Sequence, residues 1–152
     1  MLSKSHLAKA TAIAVAIALL SFSVYRFFIT PTVAPQGLQV TQGQVRELIA
    51  GRDMTAGYFV LTNHGTESVT LTGVSSTLAR SIEMHETTMR DGMMRMRPIT
   101  TLTLKAGEQI KFEPGGLHLM IFGVPTITEP FPITLFFTDD QQVSAQLYTL
   151  NR

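Results

Sequence analysis

Cysteine is missing from all 152 residues. No disulfide can staple the fold, so its core must hold it alone. A blue-copper electron-transfer centre is excluded too, because it needs a Cys thiolate. Any soft metal ligand in this chain is therefore a methionine. Excess positive charge is also lacking beyond the N-terminus. Residues 1–30 hold Lys4, Lys9 and Arg26 and no acid, which leaves nine basic and eleven acidic side chains and a formal charge of −2. That is no electrostatic footprint for nucleic acid. No Ser-His-Asp arrangement, phosphate loop or paired-carboxylate site stands out, and the chain does not read as an enzyme. Helical periodicity is weak: only residues 44–51, "QVRELIAG", suggest a turn or two.

The N-terminus has the pattern of an export segment. "MLSKSHLAK" is basic, and "ATAIAVAIALLSFSVY" (residues 10–25) carries no charge before Arg26. A positive start followed by an apolar run directs export and keeps the positive side in the cytoplasm. Residues 1–29 thus read as a signal peptide or a membrane-anchoring helix. The best small-residue cleavage site, Thr32-Val33-Ala34, is followed by Pro35, which tips the balance toward an anchor. "TPTVAPQG" (residues 30–37) reads as a linker. The domain expected at residues 38–152 then lies in the periplasm or on the outer side of the cytoplasmic membrane.

Beyond the linker, short alternating segments follow one another: "GLQVTQ", "GYFVLTN", "SVTLTGV", "TLTLKAG", "QIKFEPGG", "LHLMIFGV", "ITLFFTDD" and "VSAQLYTL". Seven to nine short strands separated by turn residues predict an all-β antiparallel sandwich or barrel.

What the chain has in place of thiols is methionine. "MHETTMRDGMMRM" (residues 84–96) holds five of its eight methionines, and Met is the only apolar residue type in it. Asp-Gly is a strong hairpin signal, since a two-residue type I′ turn requires positive φ at both central positions. With Asp91-Gly92 as the turn, Met89 pairs with Met94 and Thr87 with Met96. Side chains alternate between faces, so His85 shares a face with Met96 as a diagonal neighbour, roughly 7–8 Å away at the backbone. The same alternation puts His118 and Met120 on one face of a later strand and Leu117, Leu119 and Ile121 on the other. Two strands thus offer one imidazole and one thioether each. Packed side by side they would surround one soft ion, and thioethers suit Cu(I) far better than Zn²⁺, Ca²⁺ or Mg²⁺.

The spacing His85, ten residues, Met96, twenty-one residues, His118, one residue, Met120 resembles the signature of the periplasmic copper chaperones of the PCuAC family. The phrases "AGYFVLTN", "MHETTMRDGMMRMRP" and "FEPGGLHLMIFG" resemble that family as well, and the likeness covers roughly residues 38–149. It implies a cupredoxin-like Greek-key β-sandwich. It also implies a carrier that binds Cu(I), with Cu(II) the second candidate ion, through His85, Met96, His118 and Met120. The implied recipient is a copper-accepting subunit of cytochrome c oxidase or another copper chaperone. Some relatives carry a Met/His-rich C-terminal tail, whereas this sequence ends at "LYTLNR".

Met89 and Met94, on the His85 face nearer the turn, are expected to shield the metal or touch a partner. Gly115 and Gly116 precede the second ligand pair and leave it open to one. Met84 and Met93 fall on the opposite face and are expected to pack, and His64 reads as a solvated loop residue. The rival to the carrier is a membrane-tethered scaffold whose methionines form an adaptable contact surface. The two differ in pH response. An imidazole takes up a proton near about pH 6.5, in competition with a bound metal. Cu(I) affinity should therefore fall as pH drops through that region, with the thioether contribution remaining. Copper titration from pH 4.5 to 8 checks this, and a flat profile excludes histidine ligands.

Overall fold

The computed structural model describes residues 37–150. The export segment expected at residues 1–29, and the linker up to residue 36, lie outside the described residues. Ten strands make up the rest: β1 Leu38–Val45, β2 Met54–Asn63, β3 Val69–Ser75, β4 Ser81–Arg90, β5 Met93–Ile99, β6 Leu102–Leu104, β7 Gln109–Phe112, β8 Leu117–Phe122, β9 Phe131–Phe137 and β10 Gln142–Thr149. There is no helix among the described residues.

The strands run β5-β4-β8-β7-β2-β1-β10-β9-β3-β6 in one continuous, nearly closed sheet. Strand β10 makes the corner. Its residues 142–147 pair with β9, and Tyr148 and Thr149 then pair with Gln44 and Val45 of β1. Strand β2 is long enough to serve two neighbours, holding β8 along Met54–Gly57 and β7 along Phe59–Thr62. Most pairings are antiparallel, as the alternating pattern predicted; β1–β10 and a single bridge between β7 and β8 are parallel.

The alternating pattern decides which face is inside. In β9, Phe131, Ile133, Leu135 and Phe137 are buried while Pro132 is exposed. In β8, Leu119 and Ile121 are fully buried and join Leu61, Leu71, Leu104 and Leu147 in one core. Residues 44–51 form no helical turn. Val45 closes β1 in the core, the Arg46 amide donates to the Ala56 carbonyl, and the Leu150 amide donates to the Val45 carbonyl. Pairing on both sides of the segment outweighs its slight helical propensity.

Phe59 of β2 stacks on Phe112 of β7 with ring centroids 4.2 Å apart and planes 16° from parallel. Phe59 is 1% exposed. Phe59→Ala should cost about 3–5 kcal/mol of stability, the usual range for emptying a buried aromatic site. Denaturant unfolding of the metal-free chain measures this directly.

Candidate metal centre

Strands β4 and β5 form the hairpin read from the sequence. Asp91 and Gly92 have φ of 54° and 73°, both positive as a type I′ turn requires. The register matches as well, with Met89 opposite Met94 and Thr87 opposite Met96. The other edge of β4 pairs with β8. There His85 lies opposite His118, Glu83 opposite Met120, and Met84 opposite Leu119.

Residues directly opposite one another across antiparallel strands share a face. His85, His118, Met120 and Met96 therefore lie on one face of the β5-β4-β8 strip. The reverse face carries Leu119, Ile121 and Met84 into the core. Met94, Met96, Gly115, His118 and Met120 line a cleft of about 400 Å³, together with Met54 of the neighbouring strand β2. His85 does not line it. Its ring sits beside that of His118, centroid to centroid 5.9 Å at an angle of 50°.

The hydrogen bonds of the two rings fix which nitrogens are available. Nε2 of His85 lies 2.8 Å from a carboxylate oxygen of Glu83. Nδ1 of His118 lies 2.9 Å from the Gly116 carbonyl. Both partners can only accept, so each of these nitrogens carries the proton and donates. The remaining two, Nδ1 of His85 and Nε2 of His118, are buried and have no hydrogen-bond partner. Each then presents a lone pair. A metal-ligating histidine typically donates its other ring N–H to a carboxylate or carbonyl, which sets tautomer and orientation. One ion held at about 2.0 Å by a nitrogen from each ring places the ring centres no more than roughly 6.5 Å apart, and the observed spacing satisfies that.

The two glycines also shape the backbone around the second pair. The Gly116 carbonyl accepts from both the Thr87 amide and His118 Nδ1, tying the loop to β4 and to the ring at once. Gly115 has φ of 81°, which the turn requires, and open space around its α-carbon. Met84 packs in the core, but Met93 does not; it is 55% exposed, on a terminal strand whose one neighbour in the sheet is β4. Met89 and Met94 are exposed. His64 is an exposed loop residue bonded to the Gln39 side chain. Met54 was missed by the sequence reading: β2 begins three residues before "GYFVLTN", and Met54 pairs with Phe122, two residues beyond Met120. Among the described residues no three of His, Cys, Asp and Glu come together in a group that could hold a metal ion.

The sequence matches, over residues 38–148, the family model described as putative lipoprotein LpqE-like. The chain belongs to that family. "Putative lipoprotein Lxx21020" of Leifsonia xyli subsp. xyli is 31% identical over 114 residues, covering 72% of this chain and 68% of the relative. "Uncharacterized protein RP573" of Rickettsia prowazekii is 32% identical over 93 residues, covering 58% of this chain and 51% of the relative. Among solved structures, the copper-bound PCuAC domain from PmoF2 superimposes with a TM-score of 0.64 at 17% identity, over 78% of this chain and 97% of that one. The Cu(I) form of DR1885 from Deinococcus radiodurans gives a TM-score of 0.55 at 25% identity, over 80% and 82%. The fold is that of PCuAC domains.

The tautomers can be checked without metal. Long-range ¹⁵N–¹H correlation spectra should show His85 protonated at Nε2 and His118 at Nδ1. Glu83→Leu should leave His118 unchanged and mix the two tautomers of His85. An unchanged His85 would mean that Glu83 does not orient it.

Proposed function

We propose that this protein is an extracytoplasmic carrier of Cu(I), and not an enzyme. His85 through Nδ1, His118 through Nε2, and the sulfurs of Met96 and Met120 hold one ion as cargo. The observation that carries this reading is the pair of enclosed imidazole nitrogens with free lone pairs, on the same sheet face as two methionines. Copper in the PCuAC neighbours agrees with it.

The donor set suits the task. Two neutral imidazoles and two thioethers favour Cu(I) over harder ions. None is a thiolate, so none can be lost to disulfide formation in an oxidising compartment. Cu(I) is d¹⁰ and has no ligand-field preference for one geometry. Its ligands can exchange one at a time, and an incoming donor can bind before the last outgoing one leaves. The recipient in this reading is a copper centre of cytochrome c oxidase, reached directly or through another copper chaperone. The N-terminal apolar segment holds the domain at the outer side of the cytoplasmic membrane.

One observation favours a second reading, that of a scaffold with an adaptable contact surface. Met89, Met93, Met94 and Met96 are all more than half exposed. Leucine at positions 96 and 120 separates the two, since a Leu-for-Met exchange keeps the volume and costs less than about 1.5 kcal/mol.

Anaerobic Cu(I) titration of the full chain in detergent, with X-ray absorption at the copper edge, tests the carrier. One equivalent should bind, with two nitrogen and two sulfur neighbours. Met96→Leu with Met120→Leu should weaken binding by more than the roughly 10–100-fold that outer-sphere partners alone control. A copper environment without sulfur, or binding indifferent to the double substitution, sinks the reading.

A further inference from the structure

The methionines of the hairpin do more than the carrier site requires. Resting on the carrier reading, we infer that Met89 and Met94, with Met96 as a shared third donor, form a second Cu(I) site made of thioethers alone, lying between the cleft and the hairpin tip.

The backbone brings these three together. Met89 and Met94 are directly opposed in the β4–β5 ladder. Counted outward from the two-residue turn, theirs is a non-hydrogen-bonded pair, the kind whose α-carbons approach to about 4.5 Å and whose side chains lie closest. Met96 follows Met94 by two residues on the same face, about 7 Å along the strand. Two thioethers that far apart at the backbone can meet on one ion. Positive φ at both Asp91 and Gly92 keeps the turn tight, so the pairing is built in before any metal arrives.

The surroundings favour a soft cation over a plain contact surface. Residues 84–96 use methionine and no other apolar side chain; an apolar docking patch would be served equally by Leu, Ile or Val. The alternation puts Arg90, Arg95 and Arg97 on the opposite face, with Met93, so the hairpin's own guanidiniums point away from the thioethers, while Arg46 on the cleft lining is accompanied by Glu47. Met94 and Met96 both line the cleft that contains His118 and Met120. The soft face is therefore continuous from the enclosed imidazoles to the exposed pair, where Met89 and Met94 are 67% and 68% exposed.

Met96 belongs to both donor sets. When the ion keeps Met96 and exchanges His85, His118 and Met120 for Met94 and Met89, the metal moves outward with no change of oxidation state and no proton to place. Without imidazoles the outer set binds more weakly, as a transit position should.

Silver(I), a soft d¹⁰ ion that does not change oxidation state, probes both sites by methyl NMR of the full chain labelled with ¹³C at the methionine methyls. The first equivalent should shift the methyls of Met96 and Met120, and the second those of Met89 and Met94. Met89→Leu with Met94→Leu should abolish the second step and keep the first. If Met89 and Met94 stay unshifted through the second equivalent while Met96 and Met120 respond, the outer site does not exist and the carrier stands. A second step that survives the double substitution likewise overturns the inference. If all four methyls stay unshifted, the carrier reading fails and the outer site fails with it.

Discussion

The direct opposition of His85 and His118 across the β4–β8 ladder is the constraint on which the rest of the site depends. That register is not set by the histidines. On the reverse face, Met84 lies opposite Leu119 and Ile82 opposite Ile121, and Leu119 and Ile121 are fully buried. A slip of one residue would move every side chain of a strand to the other face. It would expose two buried aliphatic side chains, each worth about 1.5–3 kcal/mol. The hydrophobic core therefore places the imidazoles, and the sheet carries that placement to its outer face.

Where the core ends, the local rules of a stable fold are broken. Two ring nitrogens are enclosed without partners, each at a typical cost of about 1–3 kcal/mol. Four methionines face solvent on a single hairpin. A sequence chosen for stability alone would place apolar or fully hydrogen-bonded groups in the first kind of position and polar groups in the second, and such departures gather at functional sites. Here both lie on the β4–β5–β8 strip. In the carrier reading proposed above, a soft cation would resolve the first conflict by taking the lone pairs, and it would give the second a purpose. Glu83 and the Gly116 carbonyl decide which lone pairs those are.

Much of this was legible in the sequence. The Asp91-Gly92 turn fixed the β4–β5 register without ambiguity, because a two-residue loop allows one pairing. The alternation in "LHLMIF" separated His118 and Met120 from Leu119 and Ile121 for the same reason of period. The contact between β4 and β8 was not legible, since the two strands are separated in sequence by three others and no local rule specifies such a neighbour. Met54 was hidden behind that gap, because its face matters only once β2 lies beside β8. The carboxylate and carbonyl that orient the rings depend on side-chain geometry, which alternation does not reach. Met93 was read as packed because strand period says which way a residue points, but not whether another layer is there to meet it.

Anomalous diffraction at the copper edge, on crystals of the Cu(I)-loaded protein, tests the central claim most directly. A single strong peak should lie within bonding distance of both His85 Nδ1 and His118 Nε2, on the sheet face that carries Met96 and Met120. A peak bonded to Nε2 of His85 in place of Glu83, or one away from the two rings, would contradict the account.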